Sequence, residues 1–258
     1  MTKEEMDRLM ADVAALDAAY AAAAGQQGSR IAAHLANLGF EVTLLDLTKA
    51  STEEAFARAK QARPPHFFVP DRANQIRLGG IDDNLGWVTE ADWVCEAIIE
   101  KLDAKRSLFE RIEPLLAPHA MVSTNTSGIE IALLTEGRED AFRRKFVGTH
   151  FFNPPRYLKL LELIPTSETD PKAVEAMTRF LEDRVARRVV VAKDTPGFIT
   201  NRYGMWAMYR AIHAAERLHL SAEQVDAITG PFLGRPRSAS FRLNDLVGLD
   251  ILRDIGQN

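Results

Sequence analysis

Two hydrophobic rhythms alternate along most of this chain. Segments with apolar residues at every third or fourth position are followed by short, nearly continuous apolar runs, the pattern of a sheet with crossover helices. Residues 28–38 predict a helix ended by Gly39, and "EVTLLD" (41–46) predicts a buried strand closing on an acid. Residues 51–62 predict a helix that begins with a capping Ser or Thr and is stopped by "RPP". The Pro- and Gly-interrupted piece 66–87 predicts no regular element. "DWVCEAII" (92–99), "AMVSTN" (120–125), "KFVGTHFF" (145–152), "LKLLELI" (158–164) and "RVVVAKD" (188–194) then read as strands, with helices over 103–116 and 170–184. After Thr195-Pro196-Gly197 the strand signals cease, and 198–220, 221–229 and 238–255 read as helices only. The pattern divides the chain into an α/β domain over 18–194 and a helical segment over 195–258.

The first element breaks the pattern. Met6, Leu9, Met10, Val13, Leu16 and Tyr20 recur at helical spacing, and Thr2 and Glu5 are spaced as a capping box. An amphipathic helix from residue 2 to about 22 is predicted, with 1–17 as an atypical helical leader. No strand is evident there.

Composition narrows the function classes. With 258 residues, 46% hydrophobic and 26% charged, the chain is globular. A net charge of −4 without a clustered basic segment gives no footprint for nucleic acid or an anionic membrane. The lone Cys95 excludes an internal disulfide and a cysteine-rich zinc cluster, as expected in a reducing cytoplasm. The start, "MTKEEMDRLM", has no signal-peptide pattern, and no apolar run has the length of a membrane span. The expectation is a soluble cytoplasmic protein whose partners are small molecules or protein.

Two constellations carry chemistry. In "AAAAGQQGSRIAAHL" (21–35), Gly25 and Gly28 match the second and third glycines of a dinucleotide-binding turn, while Ala23 replaces the first. Asp46, eighteen residues past Gly28 at a strand end with no basic residue directly after it, suits a ribose diol and so NAD. Taken alone, the two glycines also fit a helix interrupted by a loop. The second constellation is His150 in "GTHFFNPP" and Glu162 in "LKLLELI". Strand alternation puts Leu158, Leu160, Glu162 and Ile164 on one face, so a carboxylate sits among aliphatic neighbours and needs a partner. A His–carboxylate pair is a general base; the competing reading is an edge-strand Glu facing water beside an unrelated His. His34 and Cys95 read as packing residues.

Five motifs in order, "ADWVCEAIIEKLDAKRSLF", "STNTSGIEI", "GTHFFNPPRYLKLLELI", "DTPGFITNR" and "RLNDLVGLD", resemble the L-3-hydroxyacyl-CoA dehydrogenases over 92–250. The Pro-rich region 62–80 is closest in style to the long bacterial multidomain members. The resemblance implies a Rossmann-like doubly wound sheet followed by a partial all-α domain. It also implies NAD-dependent oxidation of an L-3-hydroxyacyl-CoA to the 3-ketoacyl-CoA in fatty-acid β-oxidation, without a metal. His150 falls on the family's catalytic histidine and Glu162 on its orienting acid. Ser127 and Asn201 match groups that contact the substrate's reacting oxygen. Glu100, Lys105 and Asn153, together with Ser127, match residues near the nicotinamide and its ribose, and Gly25, Gly28 and Asp46 match the phosphate turn and adenosine ribose acid. Read without the family, Ser127 is also placed to cap a helix starting at Ile129, Asn201 is an ordinary first-turn residue, and Glu100 and Lys105 form a solvated helical face.

The sequence departs from the family at both ends. Where a strand should lead into the turn stands "DAAYAAAAG", so residues 18–23 form either an alanine-built strand or part of a replaced leader that leaves the sheet incomplete. The chain stops at "DIGQN", soon after "VGLD", where the family continues. A partial helical domain should expose apolar surface and associate, as a homodimer or with missing C-terminal domains. The alternative function is a catalytically silent fragment or acyl-CoA-binding module with impaired NAD binding.

Overall fold

The computed structural model describes residues 18–22, as backbone, and 25–248. The chain divides into two compact units that meet between Asp194 and Thr195. Among the described residues the first contains eight strands: β1 (Ala18–Ala22), β2 (Glu41–Asp46), β3 (Ile76–Gly80), β4 (Trp93–Glu96), β5 (Met121–Thr124), β6 (Phe146–Phe151), β7 (Leu160–Pro165) and β8 (Arg188–Val191). Its described α-helices of five residues or more are α1 (Gln26–Asn37), α2 (Lys49–Gln61), α3 (Leu102–Ile112), α4 (Ile131–Thr135) and α5 (Pro171–Asp183).

The strands form one sheet in the order β3-β2-β1-β4-β5-β6-β7-β8. It is parallel from β3 through β6, β7 pairs antiparallel with β6, and β8 runs parallel to β7. The first six strands follow the order of a doubly wound dinucleotide-binding sheet, whose direction of winding reverses between β1 and β4.

β1 corrects the helix predicted up to residue 22. Ala18 to Ala22 pair with Glu41 to Leu45 on one side, and Ala19 to Ala22 pair with Trp93 to Glu96 on the other. Alanine favours a helix by local propensity, but here two neighbouring strands need backbone partners, and the tertiary demand wins. The leader helix over 2–17 and the replacement at Ala23 lie outside the described residues.

The region 66–87 is also more regular than its glycines suggest. It holds a 3-10 segment, Pro70–Gln75, and the edge strand β3. The two glycines that hide the strand are packing requirements: a Cβ on Gly79 would stand 2.6 Å from the Trp87 ring, and one on Gly80 2.7 Å from Lys49 N. α2 starts earlier than read, because Thr48 caps it in a reciprocal box with Ser51. β7 begins at Leu160, which leaves Leu158 exposed outside the strand.

Strand alternation sorts the core. Trp93, Met121, Val147 and Phe151 join Ile31, Leu35 and Phe180 of the helices α1 and α5, with the Phe180 ring edge-on to both Phe40 and Trp93. On the other face Phe146 packs against Phe109 and Phe142. β4, β5 and β6 are buried along their whole length, which explains their uninterrupted apolar runs.

The second unit, from Thr195, contains α6 (Thr200–Leu218), α7 (Ala222–Thr229) and α8 (Phe241–Val247). The Asp226 carboxylate in α7 accepts from the backbone N–H groups of Ser240, Phe241 and Arg242 at 3.0, 2.7 and 2.9 Å, and so caps α8. Tyr203, Trp206, Phe232 and Leu246 are exposed in this unit.

Candidate active site

α1 follows β1 at the carboxyl end of the sheet, beside the point where winding reverses. Gly25 is the N-cap of α1, where no side chain caps the helix and the first turn carries no acid. Backbone N–H groups at such a terminus suit an anion such as a pyrophosphate. Gly28, one turn in, is buried. Asp46 ends β2 next door, half-buried, with one carboxylate oxygen accepting from Leu47 N at 2.8 Å. A bare helix terminus beside a strand-end acid fits NAD.

Further along the carboxyl edge, β6 and β7 bring His150 and Glu162 together. They are directly opposed in the antiparallel register, and His150 Nδ1 lies 2.8 Å from Glu162 Oε2. Glu162 is fully buried and His150 is 5% exposed. β7 is flanked by β6 and β8, so the reading of Glu162 as a water-facing edge residue does not hold. With Nδ1–H donated to the carboxylate, Nε2 is left as the basic nitrogen, and it lies 3.1 Å from Ser127 Oγ.

Ser127 sits in the turn after β5, and its position is set by Glu100. One oxygen of the Glu100 carboxylate accepts from Ser127 N at 2.8 Å, Gly128 N at 3.0 Å and the Thr126 hydroxyl. Burial pushes the Glu100 carboxyl up, but Lys105, Thr126 and the two backbone N–H groups together hold it below its usual value. Lys105 is 1% exposed, 2.7 Å from Glu96 and 3.3 Å from Glu100. The solvated-face reading of this pair is therefore wrong for Lys105. Ser127 does not cap the following helix either. α4 starts at Ile131, and the Asp194 carboxylate accepts from Ile131 N and Ala132 N at 2.7 and 2.8 Å.

The segment after His150 is tied down on two sides. Phe151 N donates to Asn125 Oδ1 at 2.9 Å, and Phe151 O accepts from Gln27 Nε2 at 3.1 Å, which joins β6 to α1. The buried Arg187 donates to the carbonyls of Pro155, Leu158 and Val185, and burial lowers its pKa to about 10. Asn153 is exposed just beyond β6, and Asn201 lies in the first turn of α6 in the second unit.

Sequence reasoning passed over Glu96, Asn125, Gln27 and Asp194. Glu96 could have been found by the rule that singled out Glu162, since it too is an acid inside an apolar run, "DWVCEAII". His34 and Cys95 are packing residues as expected. Cys95 is buried, which raises its thiol to about 11. His34 Nε2 lies 2.9 Å from Val185 O. Burial, with Arg187 nearby, lowers the His34 pKa to about 4 against that hydrogen bond.

A sheet wound in this order suits an NAD-dependent enzyme. Residues 22–195 match the family model for the NAD binding domain of 3-hydroxyacyl-CoA dehydrogenase, and residues 197–258 match that for its C-terminal domain. The chain belongs to the 3-hydroxyacyl-CoA dehydrogenase family. A probable 3-hydroxyacyl-CoA dehydrogenase of Deinococcus radiodurans is 48% identical over 243 residues, covering 90% of this chain and 69% of the relative. One of Bacillus subtilis is 40% identical over 255 residues, covering 91% of this chain but 32% of the relative. The crystal structure of M. tuberculosis FadB2 superposes with a TM-score of 0.81 at 29% identity, covering 94% of this chain and 86% of that one. No helix among the described residues is long and apolar enough to cross a membrane.

Proposed function

We propose that this chain oxidises the 3-hydroxyl of an L-3-hydroxyacyl-CoA to the 3-ketone, a step of fatty-acid β-oxidation, with His150 as general base. The observation that carries the reading is the ordered line Ser127 Oγ, His150 Nε2, His150 Nδ1, Glu162 Oε2, with contacts of 3.1 and 2.8 Å at either side of the ring. Glu162 holds the tautomer that leaves Nε2 basic. It then balances the imidazolium formed when the hydroxyl proton is taken. Ser127 donates to the oxygen as it becomes a carbonyl, and Asn201 is the second donor in this assignment. When bound, the nicotinamide of NAD accepts the hydride that leaves C3. Gly25 and Gly28 hold the pyrophosphate, Asp46 the adenosine ribose, and Glu100, Lys105 and Asn153 line the nicotinamide end. On this reading the α/β domain spans 18–194 and the helical domain begins at 195.

The test is NADH binding followed by fluorescence, then loss of nicotinamide absorbance on adding acetoacetyl-CoA. Binding followed by thioester-dependent oxidation is the expected result. Weak or absent NADH binding by a folded chain would favour the silent fragment or acyl-CoA-binding module, and equal turnover of the free 3-keto acid would overturn the CoA-ester assignment.

A further inference from the structure

Glu96 is completely buried at the end of β4 and carries no role in the reaction above. One of its oxygens accepts from Lys105 Nζ at 2.7 Å and Ile98 N at 2.5 Å; the other accepts from the Thr124 hydroxyl at 2.5 Å. Burial pushes the Glu96 carboxyl up, and the Lys105 ammonium is the largest effect opposing it. A carboxylate this deep is costly unless every lone pair is used, which suggests a purpose beyond filling space.

The contacts of Lys105 show where that purpose leads. An ammonium has three donors, and here three acceptors surround it: Glu96 Oε1, Ile98 O at 3.3 Å and Glu100 Oε2 at 3.3 Å. A lysine on a solvated helix would sample many rotamers, whereas this one is fixed from its buried side. It in turn fixes Glu100, whose other oxygen gathers the N–H groups of Ser127 and Gly128 and the Thr126 hydroxyl. An unbroken series of charge-assisted contacts thus runs from the end of β4 to the turn that presents Ser127 to His150.

We propose that Glu96 is a positioning residue that acts through Lys105 and Glu100 to hold the Ser127 turn in line with His150. The proposal rests on the role given to Ser127 above. Removing the Glu96 charge leaves Lys105 with Glu100 as its one carboxylate partner among the described residues. Glu100 is then drawn toward the ammonium, and the 126–128 turn follows it. The substrate's acyl and CoA groups are not touched, so the loss appears in the chemical step.

The test is a double-substitution cycle with an independent spectroscopic readout. Glu96→Gln should lower kcat about tenfold while the KM for acetoacetyl-CoA changes by less than about twofold. In a Ser127→Ala background the same substitution should change kcat by less than about twofold, because the group it acts through is gone. In the cofactor-free protein, 15N shifts of the His150 ring should move in Glu96→Gln toward their values in Ser127→Ala. Equal losses of kcat in both backgrounds, or an unmoved His150 ring, would overturn the proposal. Should Glu96→Gln not fold, Thr124→Val, which removes the hydroxyl that donates to the second Glu96 oxygen, makes the same test with the same expected non-additivity. If Ser127→Ala itself leaves turnover intact, the functional reading fails, while the ring shifts still decide whether Glu96 positions the turn.

Discussion

His150 and Glu162 stand opposite one another on antiparallel strands, with Nδ1 2.8 Å from Oε2 and the carboxylate fully buried. They are twelve positions apart in sequence, and the connection between β6 and β7, which holds Pro154 and Pro155, brings them into register. Such a carboxylate can orient the ring or stabilise its cation. Glu162→Gln separates the two roles, because the amide oxygen still accepts from Nδ1–H but carries no charge. The expected result is a fall in kcat of about 100-fold with KM for the acyl-CoA little changed. Steady-state kinetics in both directions would check it, and a pure KM effect would show that Glu162 serves binding.

Asp46 makes a second prediction. It is the last residue of β2, and Leu47 rather than a basic residue directly follows it, which suits a ribose diol over a 2′-phosphate. Asp46→Ala should raise the KM for NAD about tenfold and narrow the preference over NADP, with little effect on kcat. Cofactor-dependent initial rates measure this; an unchanged NAD:NADP ratio would remove Asp46 from the ribose site.

Acid stability should depend on His34. Its folded pKa is lowered from the usual 6.5 to about 4. Below pH 6.5 the unfolded chain therefore binds a proton that the folded chain refuses. The stabilisation is complete above pH 6.5 and lost as the pH falls toward 4, by an amount on the order of 3 kcal/mol. His34→Gln keeps a donor for the Val185 carbonyl and cannot titrate. Its thermal midpoint should fall less steeply than wild type between pH 6.5 and 4; parallel curves would refute the assignment.

Asp194 caps α4 from the last position of the first unit. Asp194→Ala strands the N–H groups of Ile131 and Ala132, at a cost of about 1 kcal/mol. Thermal denaturation should show a fall in midpoint of about 2–4 °C. Asp194→Asn, which keeps one acceptor, should recover part of it.

The fold was legible where local pattern and tertiary demand agree. β4, β5 and β6 are buried along their whole length, so their apolar runs stand out, and α5 is marked by its amphipathic period, with Ala173, Ala176, Met177 and Phe180 on the buried side. The pattern failed at β1 and β3 for opposite reasons. β1 is built of alanines whose local preference is helical, and only its neighbours on both sides make it a strand. β3 ends in Gly79 and Gly80, which look like a loop but are required by the approach of Trp87 and the start of α2. At the site, the proximity of His150 and Glu162 could be inferred from one misplaced acid. The network beneath Ser127 could not, because Glu100 and Lys105 are five apart on a segment that looks solvated, and only the buried Glu96 shows why Lys105 turns inward.

The most direct test of the account is a single turnover. The protein would be mixed with a limiting amount of NADH and then with excess acetoacetyl-CoA, and the nicotinamide absorbance followed in wild type and in His150→Gln. The account predicts rapid, stoichiometric loss of absorbance in wild type, and a rate at least about 1,000-fold lower in His150→Gln with NADH affinity unchanged. Equal rates in the two proteins would contradict it.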